Sequence, residues 1–207
     1  MEWRRLGLTF TPQAMEARPW WMHSHAQAPA ALLLDDRIRM YFSCRPAPDA
    51  NGQYVSFSAF VDLEREDPTQ VMAVATEPVL PLGGLGEFDQ FGVYPLSPIE
   101  MDGEIWAYYG GWTRMVSVPF NVAIGVARST DGGRRFSRLG TGPILGFTPD
   151  EPFVLSGPKV RRFGDMLYLF YIAGKHWLAS NDRPEPVYRI RGARSKDGLH
   201  WARPGRG

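Results

Sequence analysis

Short runs of alternating apolar and polar residues, each closed by an Asp or Gly turn, dominate the chain. Arg37-Ile38-Arg39-Met40-Tyr41-Phe42, Glu104-Ile105-Trp106-Ala107-Tyr108-Tyr109 and Met166-Leu167-Tyr168-Leu169-Phe170-Tyr171 each read as a strand. Each is preceded by a second apolar stretch and a tight turn: Asp35-Asp36, Asp102-Gly103 and Gly164-Asp165. Such dipeptides supply the positive φ values that a two-residue hairpin requires. No stretch shows sustained helical periodicity.

The hairpins form a repeat. Phe42 and Tyr109 are 67 positions apart, and Tyr109 and Tyr171 are 62 apart. Each unit begins on a short step ending in proline: Gln27-Ala28-Pro29, Leu96-Ser97-Pro98 and Ser156-Gly157-Pro158. A third strand and turn follow in units two and three, Asn121 to Gly132 and Tyr188 to Gly198, with Asp131 and Asp197 at an offset of 66. Phe136 and Trp201 then open a fourth strand, and Tyr54 to Asp62 is the weaker third strand of unit one. The tails Glu77-Pro78-Val79-Leu80 and Gly142-Pro143-Ile144-Leu145 also match. Four short antiparallel strands about every 65 residues are the mark of a propeller blade. The expected fold is all-β: an incomplete β-propeller with blade one at about 20–80, blade two at about 88–145 and blade three at about 150–207.

Composition narrows the function. Among 207 residues, 23 basic and 22 acidic side chains give a net charge of +1, which argues against a nucleic-acid or membrane-surface partner. The one cysteine, Cys44, excludes an internal disulfide and suits a reducing compartment. No apolar run reaches the length of a membrane helix, and the first residues lack a signal-type apolar segment. The expected location is cytoplasmic.

The pattern Ser195-x-Asp197-Gly198-x-x-Trp201, following an aromatic strand and a small-Pro step, resembles the five-bladed propeller glycoside hydrolases. These are the arabinanase, xylosidase, invertase and levansucrase group. The resemblance covers roughly residues 20–203. It implies a central funnel lined by the innermost strands, and a glycosidic substrate bound and cleaved there by two carboxyl groups. Five such blades need about 300 residues, so the chain supplies about three of the five. Its open blade edges are then available for self-association. Ser129-Thr130-Asp131-Gly132-Gly133-Arg134-Arg135-Phe136 also fits the Asp-box turn of sialidases, but no arginine-triad pattern accompanies it.

The segments leading into the inner strands carry the candidate chemistry. The resemblance implies a base on blade one, a helper Asp on a middle blade and an acid Glu on blade four. The lead-in of blade one offers His23, His25 and Gln27 in place of a carboxylate. Asp89 and Glu151 are therefore the expected acids, with His25 as base. Gln27, Trp112, Arg114, His176 and Trp177 are the expected sugar-binding groups, because flat aromatic faces cover the C–H patches of a pyranose and polar side chains bond its hydroxyls. Trp20 and Trp21 sit at a comparable strand end. No metal or cofactor is expected: the four histidines lack zinc spacing, and Gly83-Gly84-Leu85-Gly86 opens no helix. The alternative to a glycosidase is a catalytically silent carbohydrate-binding or assembly module made of the same blades.

Overall fold

In a computed structural model, residues 4–203 apart from 181 and 182 are described. The last positions expected in blade three, 204–207, lie outside the described residues, as do residues 1–3. The strands are β1 (Ser24–Leu33), β2 (Arg37–Arg45), β3 (Phe57–Glu64), β4 (Val71–Val74), β5 (Gly92–Met101), β6 (Glu104–Arg114), β7 (Phe120–Ser129), β8 (Ser137–Arg138), β9 (Phe153–Phe163), β10 (Met166–Ser180) and β11 (Arg183–Ser195). They form three antiparallel sheets, β1-β2-β3-β4, β5-β6-β7-β8 and β9-β10-β11. A bridge from Arg194 to Ala202 begins a fourth strand on the third sheet. The incomplete propeller of four-stranded blades is thus the observed fold. β5 packs on β1, β2 and β3, and β9 packs on β5, β6 and β7, so the blades stack side by side through their inner strands. No helix among the described residues is long and apolar enough to cross a membrane.

Two apolar cores lie between the three sheets. Tyr41, Phe60, Leu80, Phe136 and Tyr109 fill the space between blades one and two. Tyr108, Val126, Leu169 and Tyr171 do the same between blades two and three. Neighbouring residues of one strand point to opposite faces, so Tyr108 and Tyr109 serve different cores.

The same latch closes both interfaces. Tyr41 Oη donates to Gly133 O at 2.6 Å, and Phe136 meets the Tyr41 ring edge-on at 5.8 Å. Tyr108 Oη donates to Gly198 O at 2.9 Å, and Trp201 meets its ring edge-on at 5.6 Å. The receiving carbonyls belong to the Ser-x-Asp turns of the next blade. Ser129 and Asp131 accept from the N–H groups of Gly133, Arg134 and Arg135 at 2.9–3.0 Å. Ser195 and Asp197 accept from those of Gly198, Leu199 and His200 at 2.9 Å. The turn at Ser195 is one residue shorter yet makes the same bonds. Gly133 and Gly198 have φ of 83° and 76°, and a Cβ on either would come within 2.2 or 2.4 Å of the latching hydroxyl. A buried Arg39–Asp62 pair, bonded twice at 2.7 Å, adds a third tie by donating to Gly132 O at 2.8 Å.

The matching tails dock alike. Val79 N–H donates to Ser58 O, and the N–H groups of Ile144 and Leu145 donate to Ile124 O. One alignment of the repeat changes. Ala30, Ser97 and Lys159 face Tyr41, Tyr108 and Phe170 across the inner hairpins. Pro29 and Pro158 therefore precede the equivalent position while Pro98 follows it, so the proline of unit two is not the structural counterpart of the others. The bulge that absorbs the difference falls between Val93 and Leu96, and the Tyr94-Pro95 peptide bond there is cis.

Candidate functional site

Asp89 and Glu151 lie 62 positions apart, the spacing that also separates Tyr109 from Tyr171, and the two pairs are built alike. Tyr109 Oη donates to Asp89 Oδ2 at 2.9 Å, and Arg138 pairs with the same oxygen at 2.8 Å. Tyr171 Oη donates to Glu151 at 2.9–3.0 Å, with Arg191 at 2.7 Å and Arg203 at 2.9 Å. Both carboxylates are buried, at 0% and 1% exposure. They share no partner with each other. Each fastens the lead-in segment of its blade to the second strand and to a cation from the outer strands. Burial and the neighbouring carboxylates push both tyrosine hydroxyls well above their usual range, so they stay protonated donors. In blade one the corresponding pair is Met22 and Phe42, an apolar version at 0% and 4% exposure. Asp89 and Glu151 thus belong to separate blades with separate partners, and neither is in the lining of the cavity described next.

A cavity of about 760 Å³ lies where the three blades meet. Blade one gives Arg45, Tyr54 and Ser56; blade two gives Tyr94, Trp112, Arg114 and Phe120; blade three gives Ser156, Ile172, Arg183 and Tyr188. The inner strands reach it through irregular backbone. β1 bulges on either side of Gln27, with φ of 69° at His25 and 50° at Ala28. In β9 the lining residue Val154 has φ of 48°. A left-handed conformation at a β-branched residue costs of order 1–3 kcal/mol and is held only where the surroundings impose it.

Of the expected sugar-binding groups, Trp112 and Arg114 line the cavity. Trp112 lies across Gly92, where a Cβ would meet its Nε1 at 1.7 Å, and is tilted against Phe91 at 6.2 Å. Arg114 lies over the Phe91 ring at 4.5 Å and donates to Tyr54 O at 2.9 Å. His25 stands behind the lining: its ring meets Tyr54 edge-on at 6.4 Å, and its Nδ1 is 2.8 Å from Ser24 Oγ. Burial and the nearby Arg45 lower its pKa, which keeps the imidazole neutral at neutral pH. Gln27 is exposed on β1, opposite Ser43 and outside the lining.

His176 and Trp177 do not stand at a strand end. β10 continues to Ser180 and forms a long hairpin with β11, so His176 pairs with Val187 in mid-strand and is exposed. Trp177 packs on Phe120 and Phe153, each at 5.7 Å, and supports the cavity wall from behind. Tyr54, Arg45, Tyr94, Arg183 and Tyr188 are lining residues that no sequence pattern marked. Only their aromatic and cationic character near strand ends could have suggested them.

No protein-family model matches the chain. Two uncharacterised proteins of Mycobacterium tuberculosis, from strains CDC 1551 and H37Rv, are each 33% identical over all 207 residues. The chain spans 66% of their length. Among solved structures, a family 117 glycoside hydrolase from Zobellia galactanivorans superposes with a TM-score of 0.67 at 17% identity, covering 92% of this chain and 48% of that one. A thermostable family-43 glycoside hydrolase gives 0.60 at 18% identity, covering 89% and 55%. A family 32 beta-fructofuranosidase of Bombyx mori gives 0.56 at 18%, covering 84% and 32%. The chain therefore has the fold of the glycoside-hydrolase propellers and accounts for about half of the first of these structures.

Proposed function

We propose that the three blades form part of a carbohydrate-binding funnel, with the sugar held in the cavity between Tyr54, Trp112 and Tyr188. The supporting observation is the composition of that lining. Aromatic faces suited to apolar sugar C–H patches alternate with Arg45, Ser56, Arg114 and Ser156, which suit hydroxyl groups. Hydrolysis of a glycosidic bond uses two carboxyl groups about 5–10 Å apart. Among the described residues the lining contains no Asp or Glu. On this reading the blades described here bind and orient the glycoside, His25 backs the lining behind Tyr54, and an acid–base carboxyl pair would be supplied by further blades. Cys44 is buried and its thiol is pushed up to about 12 by burial, which supports a structural rather than a reactive thiol.

Calorimetric titration with a panel of oligosaccharides tests the reading. Trp112→Ala is expected to weaken binding by about tenfold or more, since loss of one aromatic platform is worth roughly 1–2 kcal/mol. Met72→Ser, on the exposed outer strand β4 of blade one and outside the cavity lining, is expected to leave binding unchanged. Equal binding by wild type and Trp112→Ala would refute the assignment.

A further inference from the structure

We infer that the sugar taken by this cavity is anionic, a uronate or a sulfate or phosphate ester, with Arg45 as the group that reads its charge. The inference rests on the carbohydrate reading above and narrows it. Three guanidinium groups, Arg45, Arg114 and Arg183, line the cavity, one from each blade, and the described lining holds no carboxylate. Arg114 is partly answered by Asp49 at 3.5 Å. No ion pair answers Arg45 or Arg183 among the described residues. Glu185 borders an adjoining groove that shares Arg183 and Tyr188 with this cavity, so the case rests on Arg45.

Arg45 is the most telling. Its guanidinium stands over the Tyr54 ring at 5.3 Å, and its Nε is buried with no hydrogen-bond partner among the described residues. Ser56 Oγ and Trp112 Nε1 are likewise buried without partners. All three can donate, and the arginine and indole groups have no acceptor capacity. Buried donors without acceptors are rare, because each forgoes the hydrogen bond it would make in water. The guanidinium itself is matched by a fork of two oxygens, and a carboxylate, sulfate or phosphate has that geometry. A neutral sugar would leave the positive charge of the wall unanswered.

The test compares trigalacturonate with its neutral counterpart galactotriose by calorimetry, alongside a sulfated and a phosphorylated trisaccharide, on wild type, Arg45→Gln and Trp112→Ala. Tighter binding of at least one anionic ligand is expected, weakened by raising salt and reduced about tenfold by Arg45→Gln. The ligand that wins distinguishes carboxylate from ester. Arg45→Gln is expected to weaken galactotriose less than the anionic ligand, because the glutamine amide can still bond a hydroxyl while the positive charge is lost. Equal or better binding of galactotriose by wild type, dependent on Trp112, would overturn the charge assignment while leaving the carbohydrate reading standing. Binding of none of the four, by a wild type shown folded by its circular dichroism spectrum, would overturn both.

Discussion

Tyr171 donates its hydroxyl hydrogen to Glu151 inside blade three, as Tyr109 does to Asp89 inside blade two. The repeat of this bond at the same sequence spacing gives the two carboxylates one role, which is to fix each blade's lead-in segment. Half-buried Arg191 and Arg203 pair with Glu151, and half-buried Arg138 pairs with Asp89.

Glu151→Gln and Asp89→Asn are therefore expected to lower unfolding free energy by about 2 kcal/mol each, the range for hydrogen bonds to charged groups whose partners keep some contact with water. Tyr171→Phe, which removes only a neutral donor, should cost about 1 kcal/mol. Urea unfolding checks both. Wild-type stability in Glu151→Gln, joined to loss of an enzymatic activity, would instead restore a chemical role for that carboxylate.

The interblade latch makes a second prediction. Tyr108→Phe should cost about 1 kcal/mol by leaving Gly198 O without its donor. Gly198→Ala should cost more, because it adds strain at φ of 76° and collides with the Tyr108 hydroxyl. Equal midpoints for wild type and Gly198→Ala would show that the turn does not carry the contact.

Ile124 and Ile190 hold equivalent places on the third strands of blades two and three, opposite Gly110 and Ile172. Ile124 is fully buried at 0% exposure and Ile190 is 81% exposed. The same contrast holds between Tyr108 at 0% and Phe170 at 45%. Ile124→Ala should cost about 2–5 kcal/mol, the range for emptying a core site, and Ile190→Ala less than about 0.5. Thermal unfolding of the two variants gives the comparison. A similar loss for both would mean that the outer face of blade three is covered in solution.

Acid should loosen the turns. Burial opposes ionisation of Asp131, but the Ser129 hydroxyl and the N–H groups of Arg135 and Arg134 outweigh it and hold its pKa below the usual range. The N–H and ring of His200 and the N–H of Leu199 do the same for Asp197. A carboxyl with a depressed folded pKa contributes fully above its unfolded value near 4, and the contribution is lost as pH falls through the folded value. Melting temperature should thus fall below about pH 4, and less steeply in Asp131→Asn. Parallel pH curves for the two proteins would remove Asp131 from this role.

Hairpins, turns and blade order were legible because each depends on residues close in sequence: Asp102-Gly103 can only turn, and the Tyr109 and Tyr171 strands alternate visibly. The equal spacing of Asp89–Tyr109 and Glu151–Tyr171 was also present in the sequence, but a carboxylate near a funnel reads the same whether it faces a ligand or an arginine. Arg138 and Arg191, which pair with these carboxylates, come from outer strands that only folding brings near. The cavity was less legible still. Tyr54 precedes β3, Arg183 and Tyr188 belong to the long β10–β11 hairpin, and nothing local records that they converge with Trp112. His176 was misplaced because the strand that carries it continues past Gly174, with a bulge absorbing the glycine.

The most direct test is a crystal structure of the protein with the tightest-binding trisaccharide of the titrations. Sugar density against the faces of Tyr54 and Trp112, with an acidic group within hydrogen-bond reach of Arg45, is the expected result. Sugar ordered on another surface, such as the exposed outer strand of blade one around Met72, with the three-blade cavity empty, would contradict it.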